Sequence, residues 1–228
     1  MRFLSSCSPL VESSLHDSIK EWYFKAGDKL EGSIDRYVID IVRGEVLIEI
    51  QTNNFSTIKQ KLEDLVESHK VRLVYPVHCI KWIVKLDKSY LKILSRRKSP
   101  KKGRVEDVFS ELVYITDLLL EKNFSLEVVL VHSEEVLVND GKGSWRRKGW
   151  SIHDRKLLKV IDKKVFNPPE NLRELLPIDL PPNFTTLDLA KSLAIRITLA
   201  RKMVYCLRKI EIINVIGKRG RMLLYSLD

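Results

Sequence analysis

Cysteine is scarce in this sequence of 228 residues. The three cysteines, Cys7, Cys79 and Cys206, are odd in number and far apart, which excludes a disulfide framework and a zinc site. The histidines also lack the spacing of metal ligands, and each is interpreted as a structural or surface residue: His16, His69, His78, His132 and His153. The cysteine content therefore predicts a protein of the reducing cytosol.

Long apolar runs and nucleotide-binding motifs are also missing. No segment approaches the roughly 18 uninterrupted apolar residues of a transmembrane helix, and the opening "MRFLSSCSPLV" is too polar for a secretory signal. Neither GxGxxG nor GxxxxGK[ST] occurs, which removes support for nucleotide-driven chemistry. We therefore expect a cytoplasmic protein without a membrane partner, and 44% apolar content suffices for one packed domain plus a small second one.

Acidic residues are in the minority. The sequence has 40 Lys and Arg against 30 Asp and Glu, a net charge of +10 that points to a polyanionic partner. The densest basic run is "SRRKSPKKGR", residues 95–104, around a Ser-Pro turn. Its candidate phosphate contacts are Arg96, Arg97, Lys98, Lys101, Lys102 and Arg104. Such contacts position a protein on nucleic acid without reading sequence, and the alternative is a solvated linker.

A second basic cluster, "GKGSWRRKGW", places Arg146, Arg147 and Lys148 between Trp145 and Trp150. Aromatic rings beside arginines can stack on unpaired bases, or they can form the packed flank of a hairpin. Of these two interpretations, the pattern favours packing.

The segment "RYVIDIVRGEVLIEIQTNNF", residues 36–55, contains two acids within strand-like apolar sequence. A two-residue turn at Gly44-Glu45, of the type II′ that prefers Gly first, pairs residues whose numbers sum to 89. Asp40 then faces Glu49, and like charges so placed require a shared proton or a cation between them. A three-residue turn would separate the acids onto opposite faces, and a hairpin with solvent-facing acids remains an alternative.

The sequence from Asp40 to Glu49-Ile50-Gln51 resembles the active-site signature of the PD-(D/E)XK nuclease superfamily, which includes many restriction endonucleases and archaeal Holliday-junction resolvases. The family core runs helix, three-stranded meander, helix, strand. A similar order is predicted over roughly the first 90 residues by periodicity. Its segments are a helix with Leu15, Ile19 and Trp22 on one stripe, a strand around residues 30–34, the hairpin, a helix from Ser56, and two buried strands, "VRLVYPV" and "KWIVKLD".

The resemblance implies a site for Mg²⁺ or Mn²⁺. Its ligands would be Asp40, Glu49 and the backbone carbonyl of Ile50, and metal-activated water would hydrolyse a phosphodiester. The third motif residue is usually Lys in the family, whereas this sequence has Gln51, whose neutral amide can orient water or substrate.

Further residues complete the site that the resemblance implies. The helper carboxylate of the family's first helix matches Glu12, and Glu21 is a second candidate. The positive charge that Gln51 does not supply can come from Lys59 or Lys61, whichever points inward.

Four prolines, at 168, 169, 181 and 182, mark the best linker in the chain. We therefore predict a nuclease-like domain over residues 1–167, a Pro-rich linker over 168–183 and a second domain over 184–228. Within the first domain, "VEDVFSELVYITDLLL" has helical spacing. The segment "SLEVVLVHSEEVLV" is interpreted as a strand or a hairpin arm, with "RKLLKVIDKKVF" as its continuation. Both segments either extend the sheet or form a connecting subdomain.

The segment from residue 184 has the layout of a winged helix-turn-helix. Thr185 and Asp188 form a candidate capping box. Leu187, Ala190 and Leu193 form one predicted apolar stripe, and Leu199, Met203, Leu207 and Ile210 form the next. The outer face of the second helix would then carry Thr198, Arg201, Lys202, Tyr205 and Arg208. The wing turn is predicted at residues 217–220, with Lys218 and Arg219 near a phosphate or the minor groove.

The sequence thus predicts an α/β fold, a restriction-endonuclease-like mixed sheet flanked by helices, with a small C-terminal winged-helix domain. The predicted function is a metal-dependent DNA endonuclease, targeted to duplex or branched DNA by the winged helix. A homodimer is an implication of the resemblance alone. The alternatives are a catalytically inactive nuclease-fold protein that binds DNA or regulates, and an RNA-processing nuclease.

Overall fold

The computed structural model describes residues 14–167 and 169–227. The helices are α1 (Ser14–Tyr23), α2 (Lys59–Val66), α3 (Phe109–Leu112), α4 (Thr186–Ser192) and α5 (Ile197–Lys209). The strands are β1 (Lys29–Ile34), β2 (Tyr37–Arg43), β3 (Val46–Ile50), β4 (Lys70–Leu86), β5 (Ile93–Lys98), β6 (Phe124–Asn139), β7 (Trp150–Phe166), β8 (Asn183–Phe184), β9 (Ile213–Arg219) and β10 (Met222–Leu227). None of the helices in these ranges has the length and apolar character needed to cross a membrane.

The described residues form a mixed α/β fold around a seven-stranded sheet. Its strand order is β1-β2-β3-β4-β6-β7, and β5 pairs with the C-terminal part of β4. The strands β3, β4 and β6 run parallel, whereas β1, β2 and β3 form an antiparallel meander and β7 returns antiparallel to β6. The predicted large mixed sheet with flanking helices is therefore confirmed at this level.

The β2–β3 hairpin has the two-residue turn that the sequence predicts. The pairs run from Arg43–Val46 to Ile41–Ile48, and the residue numbers of each pair sum to 89. Gly44 opens the turn with φ of +55°, and the second turn residue keeps a negative φ, the combination that a type II′ turn requires. The side-chain register of the hairpin was thus predictable from this turn.

Helix α1 buries a different aromatic residue from the one predicted. Trp22 is 44% exposed, whereas Tyr23 is buried. The hydroxyl of Tyr23 donates to the buried carboxylate of Glu127 at 2.5 Å, and this buried acceptor draws Tyr23 into the core. The stripe of Leu15 and Ile19 is confirmed, but its extension to Trp22 was wrong.

The two buried strands predicted after α2 are one strand, β4, of 17 residues. Strand β6 pairs with it in parallel along almost its whole length, with one irregularity between His78 and Ile80. Pairing with β6 keeps β4 continuous through a sequence that shows two separate apolar patterns.

The helix predicted within residues 105–120 is instead divided into two 3₁₀ segments and the short α3. Strands β6 and β7 extend the main sheet, which decides between the two alternatives left open for them.

The basic run begins in a strand, not in a loop. Strand β5 pairs antiparallel with β4 and contains Arg96, Arg97 and Lys98. The Arg96 guanidinium lies 4.2 Å from the centre of the Trp82 ring and 2.6 Å from the Glu134 carboxylate. Pairing with β4 therefore orders the first half of the run, and the turn begins after Lys98.

The C-terminal unit consists of α4, α5 and a three-stranded sheet of order β8-β10-β9. Two details differ from prediction. Leu187 is exposed and Leu189 is buried in its place. The β9–β10 register places the turn at Gly220-Arg221, so Lys218 and Arg219 belong to β9 and not to the turn.

The apolar core is continuous across the predicted domain boundary. One cluster of buried side chains joins residues of the main sheet and α3 to Met203 and Leu207 of α5. Within the Pro-rich segment, Leu172, Leu175 and Leu180 belong to the same cluster. Burial therefore anchors the segment between residues 172 and 180.

The capping box of α4 is present as predicted. The Thr185 hydroxyl accepts a hydrogen bond from the Asp188 N–H at 3.3 Å, and the Asp188 carboxylate accepts one from the Thr185 N–H at 2.8 Å. We expect Thr185→Ala to destabilise the protein by about 1 kcal/mol because it leaves a helix N–H group without its acceptor. Thermal unfolding measures this loss as a fall in Tm of roughly 2–4 °C. Thr186→Ala, one residue further on, is the control, and an equal fall for both variants would contradict the role of the cap.

Candidate functional site

The two acids of the hairpin lie in a cleft of about 640 Å³. The β2–β3 pairs end at Ile41–Ile48, so Asp40 and Glu49 occupy the next position of the same register, where the two strands separate. Both side chains are buried, with 9% and 8% exposure. The cleft is lined by His16, Lys20, Glu31, Val38, Asp40, Glu49, Ile50, Gln51, Thr52, Ile58 and Lys61.

Asp40 is held by groups that favour its charged form. Its Oδ2 accepts from the Ile50 N–H at 2.7 Å and lies 3.3 Å from His16 Nε2, and Lys20 Nζ is 3.8 Å from its Oδ1. Burial by itself raises the pKa of the Asp40 carboxyl, but the contacts of His16, Ile50 and Lys20 outweigh burial and lower it below its ordinary value. Asp40 is therefore the charged member of the pair.

Glu49 has the opposite tendency. Burial and the charge of Asp40 raise its pKa to about 7, although the nearby Lys61 ammonium opposes this shift. Lys61 Nζ lies 2.6 Å from Glu49 Oε1 and also donates to the Val38 carbonyl at 2.7 Å. Glu49 Oε2 is buried and has no hydrogen-bond partner among residues 14–167 and 169–227. An acceptor in this state has capacity for a proton, a water or a cation.

Helix α2 decides which of its lysines enters the cleft. Lys61 and Leu65 are four residues apart and share a helix face, and Leu65 is buried against the core. Lys61 therefore lies at the border of the buried face and reaches Glu49. Lys59 lies outside the cleft, with its Nζ 3.4 Å from Glu63 and 3.8 Å from Asp117.

Gln51 lines the cleft, but its amide is already engaged. Its Nε2 donates to the Asn53 carbonyl at 2.6 Å, which closes the loop that follows β3. The side-chain oxygen is the part of Gln51 that remains to orient a water or a substrate hydroxyl.

A strained residue lies directly beside the site. Glu31 of β1 is opposite Asp40 in the β1–β2 register and has φ of +49°. A left-handed backbone at a residue with a side chain costs about 1–3 kcal/mol and is concentrated at functional sites. The Glu31 carboxylate lies 3.2 Å from Lys20 Nζ, so Lys20 bridges it to Asp40.

Sequence reasoning missed His16 and Lys20. His16 was interpreted as structural or surface, yet its side chain is 13% exposed and contacts Asp40. The available signal was the spacing of the two residues by four on α1, which puts both on one face beside buried Leu15 and Ile19. Of the helper candidates, Glu12 lies outside the described residues, and Glu21 is exposed and does not line the cleft.

The donor set fits a hard divalent cation with few protein ligands. Within the described ranges, no group of three or more His, Cys, Asp or Glu side chains is arranged to hold a metal ion. Mg²⁺ typically takes one or two carboxylates and fills the rest of its shell with water and phosphate oxygens. Asp40 and Glu49 supply two carboxylates, and the partnerless Glu49 Oε2 supplies a buried oxygen that such an ion would satisfy.

The predicted nucleic-acid contacts differ in whether the protein itself already engages their side chains. Arg201, Tyr205 and Arg208 are exposed on α5 as predicted. Lys202 is half-buried, because its Nζ donates to the Ser110 carbonyl at 2.8 Å, and it does not belong to the outer face. The side chains of Arg219 and Arg104 have acidic partners, Asp188 at 3.1 Å and Glu106 at 3.0 Å respectively.

The second basic cluster, at the β6–β7 connection, differs from the packed flank that was favoured. Trp145 is 83% exposed, and its ring centre lies 5.5 Å from the Arg146 guanidinium carbon. Trp150 does pack, with Lys85 Nζ 4.3 Å from its ring centre. Packing is therefore correct for Trp150 and wrong for Trp145.

Comparison with known proteins identifies the family to which the chain belongs. A family model described as "Domain of unknown function (DUF8091)" matches residues 13–167. A Treponema pallidum (strain Nichols) protein that carries the name "Uncharacterized protein" is 32% identical over 189 residues, which cover 79% of this chain and 72% of the relative. No solved structure matches the chain significantly. The match over residues 13–167 contains Asp40, Glu49 and Lys61, and the chain belongs to the DUF8091 family.

Proposed function

We propose that this protein is a metal-dependent DNA endonuclease of the PD-(D/E)XK type. The observation that carries the proposal is the buried pair of Asp40 and Glu49 at the point where β2 and β3 separate, with Glu49 Oε2 left without a partner. A buried acid whose pKa is raised by burial and by a neighbouring charge, in a cleft, supports a functional role for the pair. The meander, parallel strand and flanking helices are consistent with a restriction-endonuclease-like fold.

The residues of the cleft have separate roles in the proposed hydrolysis. Asp40, Glu49 and the Ile50 carbonyl would hold Mg²⁺ or Mn²⁺. The bound ion supplies Lewis acidity and lowers the pKa of water. Lys61 contributes the positive charge near the scissile phosphate that the family's third motif residue provides, and the Gln51 oxygen orients the attacking water. His16 and Lys20 keep the Asp40 carboxylate charged and oriented.

The C-terminal unit supports the proposed duplex substrate. Its helices α4 and α5 and its β9–β10 hairpin have the order of a winged helix-turn-helix, with Arg201 and Arg208 exposed on α5. We infer that this unit binds duplex or branched DNA.

The proposal is tested with the native protein on supercoiled plasmid, linear duplex and four-way branched DNA. Mg²⁺, Mn²⁺ and EDTA are compared, and structured RNA is included as a competitor. Nicking or cutting that requires the metal supports the proposal. Intact substrates under every condition would overturn it, and preferential loss of RNA would instead assign an RNA-processing nuclease.

The two lysines of α2 provide a matched test of the site. We expect Lys61→Met to lower the rate of cleavage by roughly 10²-fold, because the ammonium beside Glu49 stabilises charge that develops on the phosphate. Lys59→Met removes the same charge from the same helix outside the cleft, and we expect a rate close to that of the native protein. Single-turnover cleavage measures both. Equal losses for the two variants would exclude a specific role for Lys61.

A second candidate is a DNA-binding or regulatory protein without cleavage. The specific observation in its favour is the set of side chains that contact the acids: Lys61 on Glu49, and His16 and Lys20 on Asp40. The two lysine ammonium groups balance the charge of the acids without a metal. This candidate predicts DNA binding that ignores Mg²⁺ and an uncut substrate in the assay above.

A further inference from the structure

A second cleft, of about 340 Å³, opens between the end of the basic run and the beginning of α5. Five cationic side chains line it, together with one acidic side chain, Asp107. The cations are Lys101, Lys102, Arg104, Arg196 and Lys202. We call this the basic cleft. It combines Lys101, Lys102 and Arg104 of the basic run with two residues of the predicted second domain, Arg196 and Lys202. Of these two, only Lys202 was a predicted nucleic-acid contact.

The charge of the basic cleft is only partly balanced by the protein. Asp107 is 3.9 Å from Lys101 and also accepts from the Arg104 N–H at 3.2 Å. Arg104 contacts Glu106, and Lys202 donates to a neutral carbonyl. Lys102 and Arg196 are exposed and make no ion pair within the part of the chain that the structure describes. Cations gathered around one cavity repel one another, and an anion between them would relieve that repulsion.

We propose that the basic cleft binds phosphate groups of a nucleic-acid backbone. Backbone phosphates are recognised by Lys and Arg side chains of this kind without regard to sequence. A smaller neighbouring cavity shares Lys101 and Asp107 with the basic cleft and extends to Tyr75 and His78 of β4. Strand β4 connects this cavity to the acid site, because Val74 pairs with Ile50.

The neighbouring cavity lies close to the acid site along strand β4. Val74 and Val77, which lies in the neighbouring cavity, are three residues apart, a distance of about 10 Å along a strand. The basic cleft, the neighbouring cavity and the acid site are therefore linked through one strand, β4. The proposal takes nucleic acid as the partner from the proposed function, but it does not require cleavage.

The test is the affinity of the full chain for a fluorescein-labelled duplex of 20 base pairs, measured by anisotropy in EDTA at several salt concentrations. We expect Lys102→Ala/Arg196→Ala to weaken binding by about tenfold and to reduce the slope of log K against log salt by about 2, because two phosphate contacts are lost. The matched control is Lys29→Ala/Lys122→Ala, which removes two exposed lysines outside the cleft. Both double variants reduce the net charge of +10 by two, so a difference between them reports position and not total charge.

The outcomes separate this proposal from the nuclease. If the two double variants have the same duplex affinity and the same salt slope, the proposal that the basic cleft binds phosphates is overturned, whether or not the native protein cuts DNA. Selective weakening in the cleft variant supports it even if no cleavage occurs. Inorganic pyrophosphate provides the second arm: a rise in Tm that the cleft variant loses, without any change in its duplex binding, would assign the cleft to a small phosphate ligand and overturn the nucleic-acid backbone as its partner.

Discussion

Asp40→Asn and Glu49→Gln are each expected to reduce metal-dependent DNA cleavage by roughly a thousandfold, because loss of an acidic ligand removes several kcal/mol of charge stabilisation. The substitutions are nearly isosteric. An Asn side chain at position 40 retains an oxygen that can accept the Ile50 N–H, so the connection between β2 and β3 is preserved. Single-turnover cleavage of plasmid DNA measures the rate, and anisotropy in EDTA measures binding separately.

The control for both variants is Glu45→Gln in the turn of the same hairpin. Glu45 is exposed and pairs with Lys70 at 2.9 Å, outside the cleft. We expect its cleavage rate to equal that of the native protein. Native rates in either site variant would remove that acid from the metal site. If a site variant loses both duplex binding and cleavage, the acid acts on substrate affinity and not on the cleavage step.

Glu49→Gln is also expected to stabilise the folded protein at pH 8, by about 2 kcal/mol. The pKa of Glu49 rises from the ordinary value of 4.5 to about 7 in the folded state, first because of burial and then because of the Asp40 charge. A carboxyl whose pKa is higher in the folded than in the unfolded protein contributes to the free energy of unfolding in a pH-dependent way. For Glu49 this contribution is fully present below pH 4.5 and is lost as the pH rises through 7. Gln does not titrate, so the variant avoids this loss.

Urea unfolding at pH 5 and pH 8 tests this expectation. The stabilisation should be large at pH 8 and small at pH 5, where Glu49 carries a proton in the folded protein. Glu45→Gln, whose carboxyl is fully exposed, should show no comparable gain at pH 8. If Glu49→Gln changes the free energy of unfolding by the same amount at pH 5 and pH 8, the raised pKa of Glu49 in the folded protein is contradicted. A residue that lowers stability while it supports the proposed activity fits a functional site.

Much of the meander and the acid pair could be predicted from sequence. The β2–β3 register follows from a local rule, because a Gly-first two-residue turn determines which residues face each other. The capping box of Thr185 and Asp188 follows from an equally local rule. Apolar periodicity indicated strands at β6 and β7, but it divided β4 into two strands and combined three short helical segments into one helix. The continuity of β4 depends on its pairing with β6, which is distant in the chain and therefore invisible to a local pattern.

Local sequence therefore accounts for the Gly-first turn of the β2–β3 hairpin, the cap of α4 and the excess of positive charge. The structure selected the two-residue form of that turn over the three-residue alternative, and so placed Asp40 beside Glu49. The tertiary structure alone decided that Lys61 and not Lys59 reaches the acids, that His16 joins them, and that Lys102 and Arg196 line one cleft. The physical reason is that a turn depends on its own few residues. The direction of a helical side chain depends instead on how the whole helix rotates to bury its apolar face, and that rotation is set by packing partners distant in the chain.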